Sequence, residues 1–234
     1  MLRLYRPQQH GDLPAVGMML GLLDEEERVR AARMEDTSAR AAFVAGRYLL
    51  RCFVAELLGV DPRTLDTAYS CPSCAGRGFD HPDHGRPGYT LGGRQIPFRL
   101  SLSRAQGTIL FGAIPSGTAL WVGVDLESVR AVGFDGFDAV ALTAREQEFV
   151  SSLSDSDRRI FRARLWARKE ALVKVLGIGF SHQSPGDLDV LEDPRIDDAN
   201  LPALAGSGST RVGVQDGDCV GGLVAAVALA PVNS

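Results

Sequence analysis

The chain has 234 residues, a net charge of −4, 45% hydrophobic residues and 23% charged ones. That balance fits a globular protein and excludes a disordered one, and the acidic sign argues against a nucleic-acid partner, whose domains are usually basic. No apolar run is long enough to span a bilayer, and the N-terminus lacks a basic stretch followed by an apolar one, so the sequence reads as cytoplasmic with no membrane partner.

Leu2, Leu4 and Tyr5 read as a short strand. Asp24 opens a helix whose first turn holds Glu25, Glu26 and Glu27, where acids suit the helix dipole. A second helix is expected over 37–58, with Gly59-Val60-Asp61-Pro62 ending it. Arg40, Arg47 and Arg51 are expected to project from this helix as an anion-receiving or solvated face. The stretch 68–93 is rich in Gly, Pro, Asp and His and reads as a long loop. Within it, Cys71, Cys74, His81 and His84 have a C-x2-C-x6-H-x2-H spacing that could hold a structural zinc ion, or the thiols are free. Cys52 and Cys219 read as ordinary core residues.

From Ile96 the pattern turns to strands. Phe98–Arg104 alternates, so Ser101 and Ser103 share one face. Strands follow at 108–114 and 119–127. Asp125 and Glu127 are two apart on the last of these, so both carboxylates point the same way. Like charges so placed favour a cation between them, and hard oxygen ligands suit Mg²⁺. Thr143 and Glu146 form a capping-box pattern, which by itself accounts for Glu146.

A long helix follows, capped by Ser154 or Asp155 and stopped by Gly177. Phe161, Leu165, Leu172 and Leu176 fall in one narrow sector and read as its buried stripe. Glu170 and Lys174 lie on the other side, beside Ala163 and Ala167. Alone, they would be an ordinary i, i+4 surface pair. Beyond it, 188–191, 211–214 and 219–229 read as short or closing strands. The order of elements also shows a coarse duplication, which divides the chain into α+β halves at 1–116 and 117–234.

Asp125 and Glu127 on a strand, Glu170 and Lys174 on a helix and arginines upstream together suggest Mg²⁺-assisted phosphoryl-type transfer. Charge neutralisation, alignment and an acid for the leaving group are the parts it needs. Gly123-Val-Asp125-Leu-Glu127, followed by Trp166-x2-Lys169-Glu170-Ala-x2-Lys174, resembles the signature of the 4′-phosphopantetheinyl transferases. The chain's length resembles the Sfp type, a monomeric pseudo-dimer of two similar α+β halves related by a pseudo-twofold.

The resemblance implies transfer of the 4′-phosphopantetheine arm of coenzyme A to a serine of an apo acyl or peptidyl carrier protein, with release of 3′,5′-ADP. It implies Asp125, Glu127 and Glu170 as Mg²⁺ ligands. Lys174 would lie near the α-phosphate as the acid, Lys169 would contact phosphate, and Glu146 would lie near the metal or act as base. Arg86 stands in a Gly-Arg-Pro similar to the family's Gly-Lys-Pro, and Arg40 and Arg47, with Arg30 a weaker match, resemble the basic positions for the 3′-phosphate. Ser101-Leu102-Ser103 stands where the family has Ser-His-Ser. Leu102 departs from that pattern, because leucine cannot donate a hydrogen bond or carry charge. Two other readings stay open: a different Mg²⁺-dependent phosphotransferase or diphosphate hydrolase, and a catalytically impaired protein that binds coenzyme A and zinc.

Overall fold

The computed structural model describes residues 1–6, 13–71, 85–180, 183–199, 201 and 221–232. In chain order the elements are β1 (Leu2–Tyr5), α1 (Val16–Leu20), α2 (Glu25–Ala32), α3 (Thr37–Leu58), β2 (Leu65–Thr67), β3 (Tyr89–Leu91) and β4 (Arg94–Gln95). Then come β5 (Phe98–Ala105), β6 (Thr108–Pro115), β7 (Leu120–Ser128), α4 (Phe137–Ala141), α5 (Ala144–Ser151), α6 (Asp155–Leu176), β8 (Ile196–Asp198) and β9 (Leu223–Pro231). The chain divides into two compact units, Arg6–Phe98 and Met1–Tyr5 with Arg99–Ser234. Both combine helices with antiparallel strands, so the architecture is α+β with two similar sheet-containing regions.

In the Arg6–Phe98 unit, α3 is a 22-residue helix capped by the Asp36 side chain and ended by Gly59 in the left-handed conformation (φ 67°). Phe43 and Val44 of α3 pack with Met19, Leu23 and Ala31. Arg51 does not project from α3 as the sequence suggests. It is 1% exposed, and its guanidinium donates to Glu27 at 2.6 Å and to Asp24 at 2.9 Å. Asp24 also caps α2 through the Glu27 amide and accepts from the Thr67 amide at 2.6 Å. This buried network ties two helices to β2. The outward look of Arg51 came from its charge, and its partners lie far away in sequence.

In the other unit, β7 pairs with β9 along its whole length, and β8 completes the sheet in the order β7-β9-β8. Side chains alternate across β7. Val122, Val124 and Leu126 join one apolar cluster with Leu2, Leu4 and Leu110. Trp121 lies on the opposite face, in the cluster that includes α6. Gly123, Asp125 and Glu127 share its alternation and therefore its face. β9 is buried on both sides, which explains its nearly unbroken apolar sequence.

α6 runs for 22 residues, from the Ser154 cap to Gly177 in the left-handed conformation (φ 73°). Leu165 and Leu172 are buried as expected, but Ala163, Ala167 and Ala171 are each 0% exposed. The alanine side, which lay outside the expected buried stripe, is a tight packing face. The expected stripe was too narrow, because small residues register weakly in a hydrophobicity pattern. Gly123 is the counterpart on β7: a Cβ there would collide with the Ala171 carbonyl oxygen and lie 2.9 Å from the Val175 nitrogen. Among the described residues, no helix is long and apolar enough to cross a membrane.

Candidate functional site

Gly123 lets the α6 backbone approach β7, and that approach decides what meets there. Lys174, on the last turns of α6, donates to Asp125 Oδ1 at 2.6 Å and to the Val124 carbonyl at 3.2 Å. Its hydrogen-bond acceptors are on the strand, not on Glu170 one turn earlier. Ser103 of β5 donates to the same Asp125 oxygen at 2.8 Å. The Val124 amide donates to Ser101 Oγ at 3.0 Å. Side chains thus satisfy both polar groups of the Val124 residue.

Asp125 is 4% exposed. Burial pushes its carboxyl above the usual value, against the pull of Lys174. Glu127 is also raised, by burial and then by the charge of Asp125, although the Ser128 amide bonds to it. Glu170 is raised by burial and by the charges of Asp125 and Glu127. Three carboxylates therefore act on one another with one ammonium among them. Asp125 Oδ2 is buried and has no hydrogen-bond partner among the described residues.

Among the described residues, no three His, Cys, Asp or Glu side chains are closed round a metal-binding point. The donor set nonetheless fits a hard divalent cation. It has carboxylate oxygens, an excess of negative charge, and a buried oxygen whose lone pairs nothing else satisfies. Asp125, Glu127 and Glu170 would hold it.

Glu146 and Lys169 lie elsewhere. Both are 0% exposed. Lys169 Nζ donates to Glu146 Oε2 at 2.6 Å and to the carbonyls of Ala141 and Pro185, each at 2.7 Å. An ammonium has three donors, so all are used. Glu146 also accepts from the Val190 amide at 2.9 Å and closes its capping box through the Thr143 amide at 2.8 Å. Burial pushes the Lys169 ammonium down, against the pull of Glu146. This geometry locks the pair to each other and to the backbone of three neighbouring segments. Neither has a donor or a face left for substrate. Ser101 is 5% exposed, and its Oγ accepts from the β7 backbone.

In the Arg6–Phe98 unit, Arg47 is 7% exposed. Its guanidinium lies 3.6 Å from the centre of the Tyr69 ring and 5.0 Å from that of Phe43, and Arg30 is 5.5 Å from the same Phe43 ring. Arg86 is half-buried and bridges Ser70 through its backbone, next to Tyr69. Arg30 and Arg47 thus stand over Phe43, and Arg47 also over Tyr69, whose neighbour Ser70 pairs with Arg86. Arg40 is half-buried, and its Nε makes no hydrogen bond among the described residues. Cys71 is a free thiol, and the other members of the expected zinc set, Cys74, His81 and His84, lie outside the described residues. So do the expected strand at 211–214 and Cys219.

Ser103, which sequence analysis did not assign to the site, touches it through Asp125, and only its alternation with Ser101 signalled which way it faces.

Residues 121–219, the stretch holding Asp125, Glu127, Glu146, Lys169, Glu170 and Lys174, match the sequence model of the 4′-phosphopantetheinyl transferase superfamily. The chain is also 28% identical over 162 residues to the 4′-phosphopantetheinyl transferase HetI of Nostoc sp., a match that covers 68% of this chain. It spans 61% of that relative's length. At family level, the chain is similar to the 4′-phosphopantetheinyl transferase superfamily, and the match to the family's sequence model includes the strand and helix that build the site.

Proposed function

We propose that the protein transfers the 4′-phosphopantetheine arm of coenzyme A to a serine of an apo acyl or peptidyl carrier protein, with Mg²⁺, and releases 3′,5′-ADP. The observation that carries this reading is the convergence of Asp125, Glu127 and Glu170 beside Lys174, with Asp125 Oδ2 buried and unsatisfied.

When bound by the three carboxylates, Mg²⁺ supplies charge neutralisation for the diphosphate. Asp125, held by Ser103 and Lys174, is the fixed anchor. Glu170 is half-buried and its carboxyl is raised above the ordinary value. It is suited to accept the proton of the carrier serine as the serine oxygen attacks the β-phosphate. The bond to the α-phosphate oxygen then breaks. Lys174 Nζ stabilises or protonates that oxygen as 3′,5′-ADP leaves, and in doing so exchanges part of its pairing with Asp125 for the phosphate. Arg40, Arg47 and Arg86 are assigned to the phosphates of coenzyme A on the family resemblance. The two sequence halves, 1–116 and 117–234, belong to the same reading, as does action as a monomer.

The test is incubation with coenzyme A, Mg²⁺ and several apo carrier proteins, read by mass. Gain of the arm on a carrier supports the reading. No gain on any carrier, or an undiminished gain after Asp125→Ala, overturns it. Breakdown of coenzyme A without a carrier would favour a diphosphate hydrolase instead.

A further inference from the structure

Gln106 and Gly107 join β5 to β6, and both have positive φ, 49° and 73°. A two-residue hairpin turn of this kind prefers Asn, Asp or Gly at its first position, because other side chains crowd the backbone there. Among the described residues, Gln106 is the one non-glycine with positive φ. A backbone held in an unfavourable region points to a use for the side chain it carries. Gln106 Nε2 donates to Ser128 Oγ at 2.6 Å.

Ser128 ends β7, directly after Glu127, and is buried. Its amide donates to Glu127 Oε1 at 2.6 Å, and its hydroxyl also accepts from the Arg130 amide at 3.3 Å. A hydroxyl oxygen has two acceptor sites, and these two bonds fill them. Gln106 thus fixes Ser128 from outside the strand, and the peptide that follows Glu127 is fixed with it. Two further bonds belong to the same series: Ser101 Oγ accepts from the Val124 amide, and Ser103 donates to Asp125. Residues 101, 103 and 106 meet 124, 125 and 128 in rising order, so β5 and its turn line β7 in one direction. Ser103 holds one strand carboxylate, and Gln106 reaches the other through Ser128.

We propose that Gln106 is a positioning residue: it clamps Ser128, and through the Ser128 amide it sets the Glu127 carboxylate for a divalent cation. The proposal rests on the reading of Asp125, Glu127 and Glu170 as the cation's ligands. Groups that orient a ligating carboxylate are worth about 10–100-fold in metal affinity. Gln106 acts one bond further out, so the lower end, about tenfold, is expected. A glycine at this position suits the positive φ of the turn and removes the clamp. It separates two roles. A residue needed only for folding would lower stability, whereas a positioning residue lowers affinity and leaves stability near wild type.

Mn²⁺ binding by calorimetry and thermal midpoints decide the proposal, in wild type, Gln106→Gly, Ser128→Ala and the double variant. Gln106→Gly should bind Mn²⁺ about tenfold more weakly, with a midpoint close to wild type. Ser128→Ala removes the acceptor and should weaken binding at least as much. The double variant should bind no more weakly than Ser128→Ala, because both changes break one link. Binding by Gln106→Gly within about twofold of wild type overturns the proposal. Losses that multiply in the double variant overturn it too. So does a Gln106→Gly protein that fails to fold or melts well below wild type, which would make the side chain a folding element. A wild-type protein that binds no Mn²⁺ overturns this proposal together with the ligand assignment. Wild-type binding that is lost in Asp125→Ala but unchanged in Gln106→Gly keeps the ligand assignment and removes the positioning role alone.

Discussion

Lys174 and Asp125 are joined across α6 and β7 by a 2.6 Å ion pair, while the second oxygen of the same carboxylate is buried and unsatisfied. Half of the aspartate is thus committed to the protein, and half is kept for something else. Removing the carboxylate takes away the anchor of the site and leaves Lys174 without its strongest partner. Asp125→Ala is expected to lower arm transfer by at least about 100-fold, measured as the initial rate of carrier mass gain at saturating Mg²⁺.

Gly123 is where β7 touches the α6 backbone. A methyl group there must push the helix away, and overpacking of this kind costs about 1–3 kcal/mol, sometimes more. Because Ala171 and Val175 are the contacted residues, the displaced helix segment also carries Glu170 and Lys174. Gly123→Ala should shift the urea midpoint down and reduce arm transfer beyond what the unfolded fraction explains. Comparing activity well below the unfolding temperature with a denaturation curve checks this.

The Glu146–Lys169 pair is buried on both sides. Removing one member strands the other charge, at a cost of about 3–5 kcal/mol. Lys169→Met and Glu146→Gln should each be strongly destabilising, and the double variant should lose less than the sum. A double-mutant cycle by chemical denaturation gives the coupling. Near-additive losses would separate the two residues.

Asp24 gives a pH prediction with a definite sign. Burial opposes its ionisation, but bonds from Thr67, Glu27 and Arg51 outweigh that and hold the carboxyl below its ordinary 3.8. A carboxyl lowered on folding stabilises fully above the unfolded value, and the contribution fades as pH falls through the folded one. Asp24→Asn should therefore be less stable than wild type at neutral pH by about 2 kcal/mol. The gap should close progressively on acidification below about pH 4. A gap that is constant with pH would assign the loss to packing rather than charge.

What the sequence made readable was what repeats at short range. Period two put Asp125 and Glu127 on one face, and the helical period put Lys174 one turn from Glu170. Caps at Asp24, Thr143 and Ser154 and the stop at Gly59 follow local rules, and the structure has all of them. Lys169 and Glu170 are neighbours of opposite fate, and no local pattern separates them. Lys169 is buried because Ala141, Glu146 and Pro185 converge on it from elsewhere in the chain. Arg51 misled for the same reason, since its partners Asp24 and Glu27 sit on another helix. The alanines of α6 carry too little hydrophobicity to mark a face, although their small size is what lets helix and strand approach.

That close approach also governs how the site moves. The carboxylates and the ammonium hang from β7 and α6, which pack directly on each other in the middle of the unit, and β7 is further locked along its length by β9. Loops usually carry functional groups and open on their own. Here the amides of 122–127 should exchange with solvent only when the whole unit unfolds, so the site keeps its geometry for as long as the unit exists.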